Sequence, residues 1–309
     1  MHNNEKNNCE VWAVGGGKGG VGKSFLISNI AHSLAMEGEK TILIDADFGG
    51  ANLHSILGIT RPARSLTDFF TRKMPLQDLV IDSGVPNLGL VVGTIRSFAA
   101  ESINYAQKLK FHRHIRLLEA DYVLVDLGSG ASYNIIDTFL LADKKIVVIL
   151  PEVTAMDNMY SFLKYAFFRR LVREFTKKGL QYVVLNAYRD FRETNAGNLH
   201  QFIQYLQNSD DAAEQIVQQV LSDYEVQIII NQVKSQQDIV LGSAVKSVCL
   251  KYFGFHARYP GYIEHNDTIP QAINNRQPYL LTNPTSKFAD EMQRLSNNIL
   301  TNQQMRLHL

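Results

Sequence analysis

The chain has 309 residues, of which 45% are apolar, and its formal net charge at pH 7 is +1. This composition is sufficient for a sizeable hydrophobic core, and the balanced charge gives no global attraction to nucleic acid or anionic lipid. Cys9 and Cys249 lie far apart and in no C-x-x-C motif, which excludes a zinc or disulfide framework. No apolar run approaches the ~18 residues of a membrane-spanning helix, so we expect a cytoplasmic protein.

Strand-like and helix-like segments alternate along the chain, which predicts an α/β fold with a doubly wound, mostly parallel sheet and helices on both faces. The predicted strands are 10–15, 41–45, 88–92, 122–126, 145–150, 225–230 and 256–260. The predicted helices lie near 24–37, 101–118, 132–142, 154–178, 235–252, 268–275 and 286–300. No long linker interrupts them, so we expect a single domain over residues 1–309.

Residues 178–224 interrupt this alternation. Their amphipathic stretches, Asn198–Gln207 and Asp211–Leu221, predict a helical insertion. The apolar segment Tyr182–Asn186 is compatible with either a strand or a buried helix segment. Residues 301–309 are expected to form a flexible tail, and with a single arginine this short segment is a weak candidate for a membrane anchor.

The segment Gly15–Ser24 fits the phosphate-loop pattern G-x-x-x-x-G-K-S. Its glycines allow backbone N–H groups to face phosphate oxygens, while Lys23 would meet the β- and γ-phosphates and Ser24 would ligate Mg²⁺. The loop follows a strand-like run and precedes a helix-like one, and a helix N-terminus in this position favours an anion. The sequence therefore predicts a phosphate-binding site.

A second lysine, Lys18, lies inside this loop. With it, the chain resembles the deviant Walker A family, which includes MinD, ParA and FlhG (also called FleN or YlxH), from about Glu10 to Asn298. The resemblance implies a P-loop NTPase fold, ATP and Mg²⁺ as cofactors, and a homodimer that forms with ATP. It also implies that Lys18 reaches across the dimer interface to the partner's nucleotide, where negative charge builds during phosphoryl transfer.

Two further segments carry the resemblance. Thr41–His54 matches the family's second strand and first switch, and by that match Asp45 is the strand-end carboxylate and Asp47 orients the attacking water. Tyr122–Gly130 resembles the Walker B strand and second switch, and its D-L-G-x-G form favours the FlhG branch. The residues alone leave open that Asp45 is a helix cap or a turn former.

Toward the C-terminus, Val226–Asn231 resembles the strand that ends in an adenine-recognising asparagine, although a strand-end asparagine is also a common turn residue. Pro260–Ile269 resembles the segment that packs against the base, but Glu264 replaces the usual proline and Asn266 the usual aspartate. The residues assigned to catalysis by the resemblance are Lys18, Lys23 and Asp47. Those assigned to the metal are Ser24, Asp47 and Asp126, with Asp126 acting through water. Those assigned to the nucleotide are Gly17, Gly19, Gly20, Val21, Gly22, Lys23, Ser24, Phe25, Asn52 (near the γ-phosphate), Gly130 and Asn231.

Two basic segments are candidate partner surfaces. One is a stripe on the helix near 154–178, formed by Arg169, Arg173 and Lys177, and the other is a cluster before the Walker B strand, formed by Lys108, Lys110, His112, Arg113, His114 and Arg116. Each is either a solvated helix face or a docking face for DNA, acidic lipid or a protein. The apolar stripe of the last helix (Phe288, Met292, Leu295 and Ile299) is either a core-packing or a membrane-binding face.

The resemblance implies a slowly hydrolysing, ATP-dependent dimerising regulator of MinD or FlhG type. Such a protein would control the placement or number of a cellular structure, either a flagellum or the division machinery, with a peripheral position at the inner membrane as one option. The alternatives are a ParA-like partition ATPase that binds DNA and a nucleotide-binding scaffold without turnover.

Overall fold

A computed structural model of the chain describes residues 9–93, 105–193, 199–209 and 211–305. This part of the chain contains eight strands: β1 (Glu10–Gly15), β2 (Thr41–Ala46), β3 (Val80–Asp82), β4 (Leu88–Val91), β5 (Tyr122–Leu127), β6 (Lys144–Ile149), β7 (Val226–Val233) and β8 (Ala257–Glu264). The predictions above also cover residues 1–8, 94–104, 194–198, 210 and 306–309, which lie outside the described residues.

Helices follow or separate most of these strands. They are α1 (Lys23–Met36), α2 (Leu53–Ile56), α3 (Leu66–Thr71), α4 (Tyr105–Ile115), α5 (Tyr133–Phe139), α6 (Val153–Lys177), α7 (Gln181–Glu193), α8 (Leu199–Gln207), α9 (Asp211–Asp223), α10 (Gln236–Phe253), α11 (Thr268–Asn274), α12 (Tyr279–Thr282) and α13 (Lys287–Leu300).

The strands form one sheet in the order β3-β4-β2-β5-β1-β6-β7-β8, in which β3 is antiparallel to β4 and the other neighbours are parallel. Successive strand residues face opposite sides, so that Val123 and Val125 of β5 join one apolar layer and Leu124 joins the other. The predicted doubly wound, mostly parallel sheet is confirmed.

Strand β8 contains Pro260 and continues to Glu264, four residues beyond the end of the predicted strand 256–260. Proline lacks an N–H for the ladder and is tolerated on an edge strand, and β8 is the outermost strand of the sheet. The register between β7 and β8 shifts beside this residue, between Arg258 and Gly261. The three-residue strand β3 and the short helices α2, α3 and α12 were not predicted.

Helices α7, α8 and α9 occupy most of residues 178–224, and Tyr182–Asn186 is helical and lies in α7. Helices α7 and α9 pack against α6, while α8 packs against both of them and against α10. Phe202 and Val217 are buried in the same apolar layer as the inner face of α6. These three helices therefore extend the core on one side of the sheet.

The apolar stripe of α13 packs into the core. Phe288, Met292, Leu295 and Ile299 are each at most 3% exposed, and α13 lies against α1 and β8. The stripe is therefore a core-packing face and not a membrane-binding one. Of the helices in the described residues, none combines the length and apolar character needed to cross a membrane.

Asp137 of α5 joins three helices through its carboxylate. Oδ1 accepts a hydrogen bond from Arg169 Nε of α6 (2.8 Å), and Oδ2 accepts from Arg169 Nη2 (3.1 Å) and from Lys108 Nζ of α4 (3.0 Å). Burial alone would raise the pKa of Asp137, but the hydrogen bonds and charges of Arg169 and Lys108 outweigh it and hold this pKa below its ordinary value.

We expect Asp137→Asn to lower the free energy of unfolding at pH 7 by about 1–3 kcal/mol, because two part-buried cations lose their counter-charge. A depressed carboxylate pKa stabilises the fold at pH values above the unfolded-state pKa and ceases to do so as pH falls through the folded-state value. The deficit should therefore shrink below about pH 4, as measured by urea unfolding. Asp157→Asn, on the exposed face of α6, is the control. A deficit of the same size at both pH values would contradict the electrostatic explanation.

Candidate functional site

The loop between β1 and α1 has the backbone geometry of an anion site. Gly20 and Gly22 have φ values of +79° and +90°, which other residues rarely adopt, and Gly22 is the N-cap of α1. The loop therefore turns directly into the N-terminus of a 14-residue helix at the carboxyl end of a central strand. Unpaired helix N–H groups and the helix dipole favour a negatively charged ligand here.

One face of α6 packs directly against the first residues of this loop. A Cβ atom on Gly17 would lie 2.3 Å from the backbone oxygen of Asn158, and one on Gly15 would lie 2.8 Å from the ring of Phe162. Phe162 in turn contacts Phe139 edge to face, with ring centroids 4.9 Å apart. The start of the loop is therefore held against a rigid aromatic base, and neither glycine has room for a side chain.

Lys18 also contacts the α6 region, at the more exposed end of the interface between the loop and this helix. Its Nζ donates to Glu152 Oε2 (2.8 Å) and to Thr154 Oγ1 (3.2 Å), at the beginning of α6. The Lys18 side chain is 34% exposed and that of Glu152 is 52% exposed. A surface ion pair of this kind contributes at most about 1 kcal/mol, so Lys18 leaves it at little cost when a stronger anion is available.

Lys23 lies deeper, with 7% of its surface exposed. Its Nζ donates to the backbone oxygen of Lys18 (3.2 Å) and carries two further protons for other acceptors. Burial lowers the pKa of Lys23, and the charges of Asp126 and Asp47 oppose this shift. The two lysines of the loop therefore lie at different depths, Lys23 toward the carboxylates and Lys18 toward the surface.

Asp126, near the end of β5, has the buried carboxyl group of the site whose oxygens are unsatisfied. It is 1% exposed, and neither of its carboxylate oxygens has a hydrogen-bond partner among the described residues. Burial and the neighbouring Asp45 raise the pKa of Asp126 to about 8, while Ser24 and Lys23 oppose the shift. Orphaned buried oxygens are costly, and a cation with its water shell would satisfy them.

This donor set fits Mg²⁺ better than a metal held only by protein. Within the described residues, no group of three or more His, Cys, Asp or Glu side chains is arranged to hold a metal ion. Mg²⁺ usually keeps several waters and takes few protein ligands together with phosphate oxygens. Ser24, Asp126 and Asp47 would hold such an ion directly or through water, and the ion would neutralise phosphate charge.

Asp45 has a different environment from Asp47. Its buried carboxylate accepts hydrogen bonds from the backbone N–H groups of Asp47 (3.2 Å), Asn52 (2.9 Å) and Leu53 (3.0 Å). Burial raises the pKa of Asp45 to about 6, and these N–H groups oppose the shift. Asp45 therefore shapes the turn after β2, in line with the turn-former interpretation, and presents Asn52 at the exposed start of α2.

Gly128 is a site residue that the sequence analysis missed. A Cβ atom at this position would lie 2.8 Å from Asp47 Oδ1, so Asp47 occupies the space that a side chain would need. Asp47 Oδ1 also accepts from the backbone N–H of Gly49 (3.1 Å). The closely following Gly130 has a φ of +94°. The D-L-G sequence at the end of β5 carried the signal, because a glycine two residues after a strand-end carboxylate indicates close approach.

Three residues predicted to contact the nucleotide have side chains that point into the protein. Asn231 is 7% exposed, and its Nδ2 donates to Val21 O (2.9 Å) while its Oδ1 accepts from Gln232 N (3.0 Å). Val21 is 1% exposed. The ring of Phe25 contacts those of Tyr279 and Phe288, at centroid distances of 6.1 and 5.5 Å. These side chains support the loop in this structure, which leaves the backbone of Val21 and Phe25 for ligand contact.

Fold and site together define a P-loop nucleotide-binding protein with a second lysine in its phosphate loop. Residues 9–181 match the family model described as an AAA domain. The chain belongs to this AAA-domain family, of MinD/ParA type.

Sequence relatives and solved structures agree with this assignment. The chain is 31% identical over 164 residues to the antiactivator FleN of Pseudomonas aeruginosa, which is 50% of this chain and 55% of FleN. It is 30% identical over 161 residues to the flagellum site-determining protein YlxH of Helicobacter pylori, which is 52% of this chain and 54% of YlxH. The chain thus spans about half the length of these relatives.

A solved structure extends the likeness of fold to almost the whole chain. The septum site-determining protein MinD of Pyrococcus horikoshii, complexed with Mg-ADP, superposes with a TM-score of 0.65 at 16% identity, over 94% of this chain and 96% of that one. At 16% identity this likeness shows the fold alone.

Proposed function

We propose that the chain is an ATP- and Mg²⁺-dependent regulator that dimerises with ATP, hydrolyses it slowly, and controls the placement or number of a cellular structure. The observation that carries the proposal is the separation of the two loop lysines. Lys23 is buried beside Asp126 and Asp47, whereas Lys18 is held at the surface by Glu152 and Thr154.

The inner lysine and the carboxylates support nucleotide and metal binding. Lys23 supplies a buried positive charge, Ser24 and Asp126 supply oxygen ligands, and the loop supplies backbone N–H groups for phosphates. When bound, Mg²⁺ would neutralise charge on the phosphate oxygens. Asp47, with its carboxylate held at Gly49 and Gly128, is the group we assign to orienting the attacking water.

The outer lysine supports dimerisation. The ammonium of Lys18, whose side chain is 34% exposed, has only a surface carboxylate and a hydroxyl as partners among the described residues, and it is free to exchange them for a phosphate presented by a second subunit. A symmetric dimer would place each Lys18 at the other subunit's nucleotide. ATP would then be needed for assembly because its phosphates are shared by both subunits.

The names of the relatives indicate the cellular role. One relative is an antiactivator and the other a flagellum site-determining protein, and each matches this chain at 30% identity or more. We infer a regulatory role of the same type for this chain, with a protein partner that recognises and binds the ATP-bound dimer.

Static light scattering tests the proposal directly. With ATP and Mg²⁺ the wild-type chain should shift from the mass of a monomer to that of a dimer, and with ADP it should remain a monomer. Lys23→Ala should weaken ATP binding about 10- to 100-fold, because a buried charge-assisted contact to phosphate is lost, and should prevent the shift. A strictly monomeric mass at saturating ATP would contradict the proposed dimer.

Gly128→Ala should lower ATP hydrolysis by about a hundredfold while leaving ATP affinity nearly unchanged. The new methyl group would overlap with Asp47 Oδ1, and a displacement of about 1 Å at a catalytic group has an effect of this size. Hydrolysis is measured by phosphate release and affinity by titration calorimetry. The control is Gly84→Ala, because an added Cβ there meets no atom within 4 Å, and its φ of +79° adds backbone strain that Gly128 does not have. Equal turnover in the two variants would refute the close-approach explanation.

A further inference from the structure

A cavity of about 460 Å³ lies between α4, α5 and the second half of α6. The two basic segments noted in the sequence, which are far apart along the chain, meet on its walls. Lys108 and His112 of α4 face Arg169, Arg173 and Lys177 of α6 across it. None of its lining residues belongs to the candidate nucleotide site, and its volume is in the range of ligand-binding pockets.

The charges on the cavity wall favour an anionic occupant. Four cations, Lys108, Arg169, Arg173 and Lys177, line it together with one carboxylate, that of Asp137. Asp137 is shared by Lys108 and Arg169, and Lys177 pairs with Glu174 at 2.8 Å. Burial, together with the charges of Lys108 and Arg173, lowers the pKa of His112 to about 4, so that its imidazole is neutral at pH 7.

Arg173 is the cation most available to a ligand. It is exposed, and among the described residues no carboxylate lies within ion-pair distance of its guanidinium. Lys108 contributes further donors at the floor, because one of its three protons is directed at Asp137 and its side chain is only 12% exposed. The cavity therefore offers available hydrogen-bond donors both near its opening, on Arg173, and at its floor, on Lys108.

The wall is not uniformly charged. Leu109, which is 44% exposed, and Leu141 and Val172 supply apolar surface beside the cations. A ligand that matches this wall carries both carboxylates and apolar side chains. We propose that this cavity docks an acidic peptide segment of a partner protein, with carboxylates on Arg173 and Lys108 and an apolar side chain on Leu109.

The shape of the site favours a peptide over duplex DNA or a lipid surface. Lys108 and Asp137 are recessed, with 12% and 16% of their side chains exposed. A glutamate or aspartate side chain extends into such a recess, whereas the phosphates of a duplex or of a bilayer require cations on a flat or protruding surface.

Fluorescence anisotropy with a short labelled peptide of glutamate and leucine residues tests the proposal on the full chain, with and without ATP. The wild-type chain should bind this peptide and not the matched peptide of glutamine and leucine. Arg173→Gln should weaken binding about tenfold, the loss of one charge-assisted contact. Lys164→Gln, an exposed lysine of the same helix outside the cavity, is the matched control and should bind as the wild type does.

Asp137→Asn should change the peptide affinity in the opposite direction to Arg173→Gln, and a partly unfolded variant would not show such an increase. Removing the only carboxylate among the lining residues should strengthen binding of the acidic peptide several-fold, and added salt should weaken it in every variant. Three results would overturn the proposal: no binding of the acidic peptide, equal binding of the glutamine peptide, or equal losses in Arg173→Gln and Lys164→Gln. Binding of duplex DNA or phosphatidylglycerol vesicles that Arg173→Gln abolishes, with no peptide binding, would instead assign the cavity to phosphate. The outcome is separate from that of the proposed ATPase function, since Lys23→Ala should retain peptide binding.

Discussion

Replacing Lys18 with alanine should lower ATP hydrolysis by about a thousandfold while changing ATP affinity less than about threefold. The reason is that Lys18 lies apart from the buried phosphate site, on Glu152 and Thr154, and would act only where charge develops in the transition state. Phosphate release and titration calorimetry measure the two quantities. Lys164→Ala is the control for loss of a surface lysine, and near-wild-type turnover in Lys18→Ala would rule out the proposed role.

A mixing experiment distinguishes action across the interface from action within one subunit. Lys18→Ala and Asp47→Ala should each be nearly inactive alone. If Lys18 serves the partner's nucleotide, a mixed dimer contains one complete site, and an equal mixture should recover about a quarter of wild-type turnover. If Lys18 serves its own subunit, no mixed dimer contains a complete site and mixing restores nothing.

Asp47→Ala should slow hydrolysis about 10²- to 10⁴-fold, the contribution of a positioned group that directs water or a proton. ATP should still bind, because the phosphate contacts of Lys23 and of the loop remain. The ATP-bound dimer should therefore accumulate, and light scattering should show a dimer that persists for much longer than that of the wild type.

The matched comparison is Asp45→Ala, two residues earlier on the same strand end. Asp45 accepts three backbone hydrogen bonds that shape the turn, so its removal should lower the free energy of unfolding and disturb ATP binding as well. A stable, ATP-bound dimer in Asp45→Ala, or rapid dissociation in Asp47→Ala, would reverse the roles assigned to the two carboxylates.

The sequence predicted the core of the fold because each central strand is a continuous apolar run buried on both faces, as Tyr122–Leu127 shows. It missed Val80–Asp82 because three residues are too few for a periodic signal. It ended β8 at residue 260, four residues before Glu264, because Pro260–Ile269 resembles a base-packing segment and nothing local indicates that a strand containing proline lies at the edge of the sheet. Edge position is a property of the topology rather than of the segment.

The sequence predicted the parts of the site in which a motif determines the backbone geometry. It did not predict the contacts of individual side chains that have several available partners. The sequence predicted that the segment Gly15–Ser24 connects a strand to a helix, and in the structure it comprises the last residue of β1, the connecting residues 16–22 and the first two residues of α1. It did not indicate that Asn231 is bonded to Val21 O or that Phe25 lies among Tyr279 and Phe288. Those contacts join segments more than 200 residues apart, and local pattern carries no information about them.

Helix α6 gives the chain a mechanical property that follows from its contacts. Near its first turns it touches the phosphate loop, through Asn158 beneath Gly17 and Phe162 beneath Gly15, and further along it carries Arg173. Asn158 and Arg173 are about 22 Å apart along a helix axis, and a helix packed at crystal-like density moves as a rigid rod. A displacement of the loop against this helix would be carried to the cavity wall that contains Arg173. We therefore expect that nucleotide binding at the phosphate loop changes the width of the cavity opening at the other end of α6.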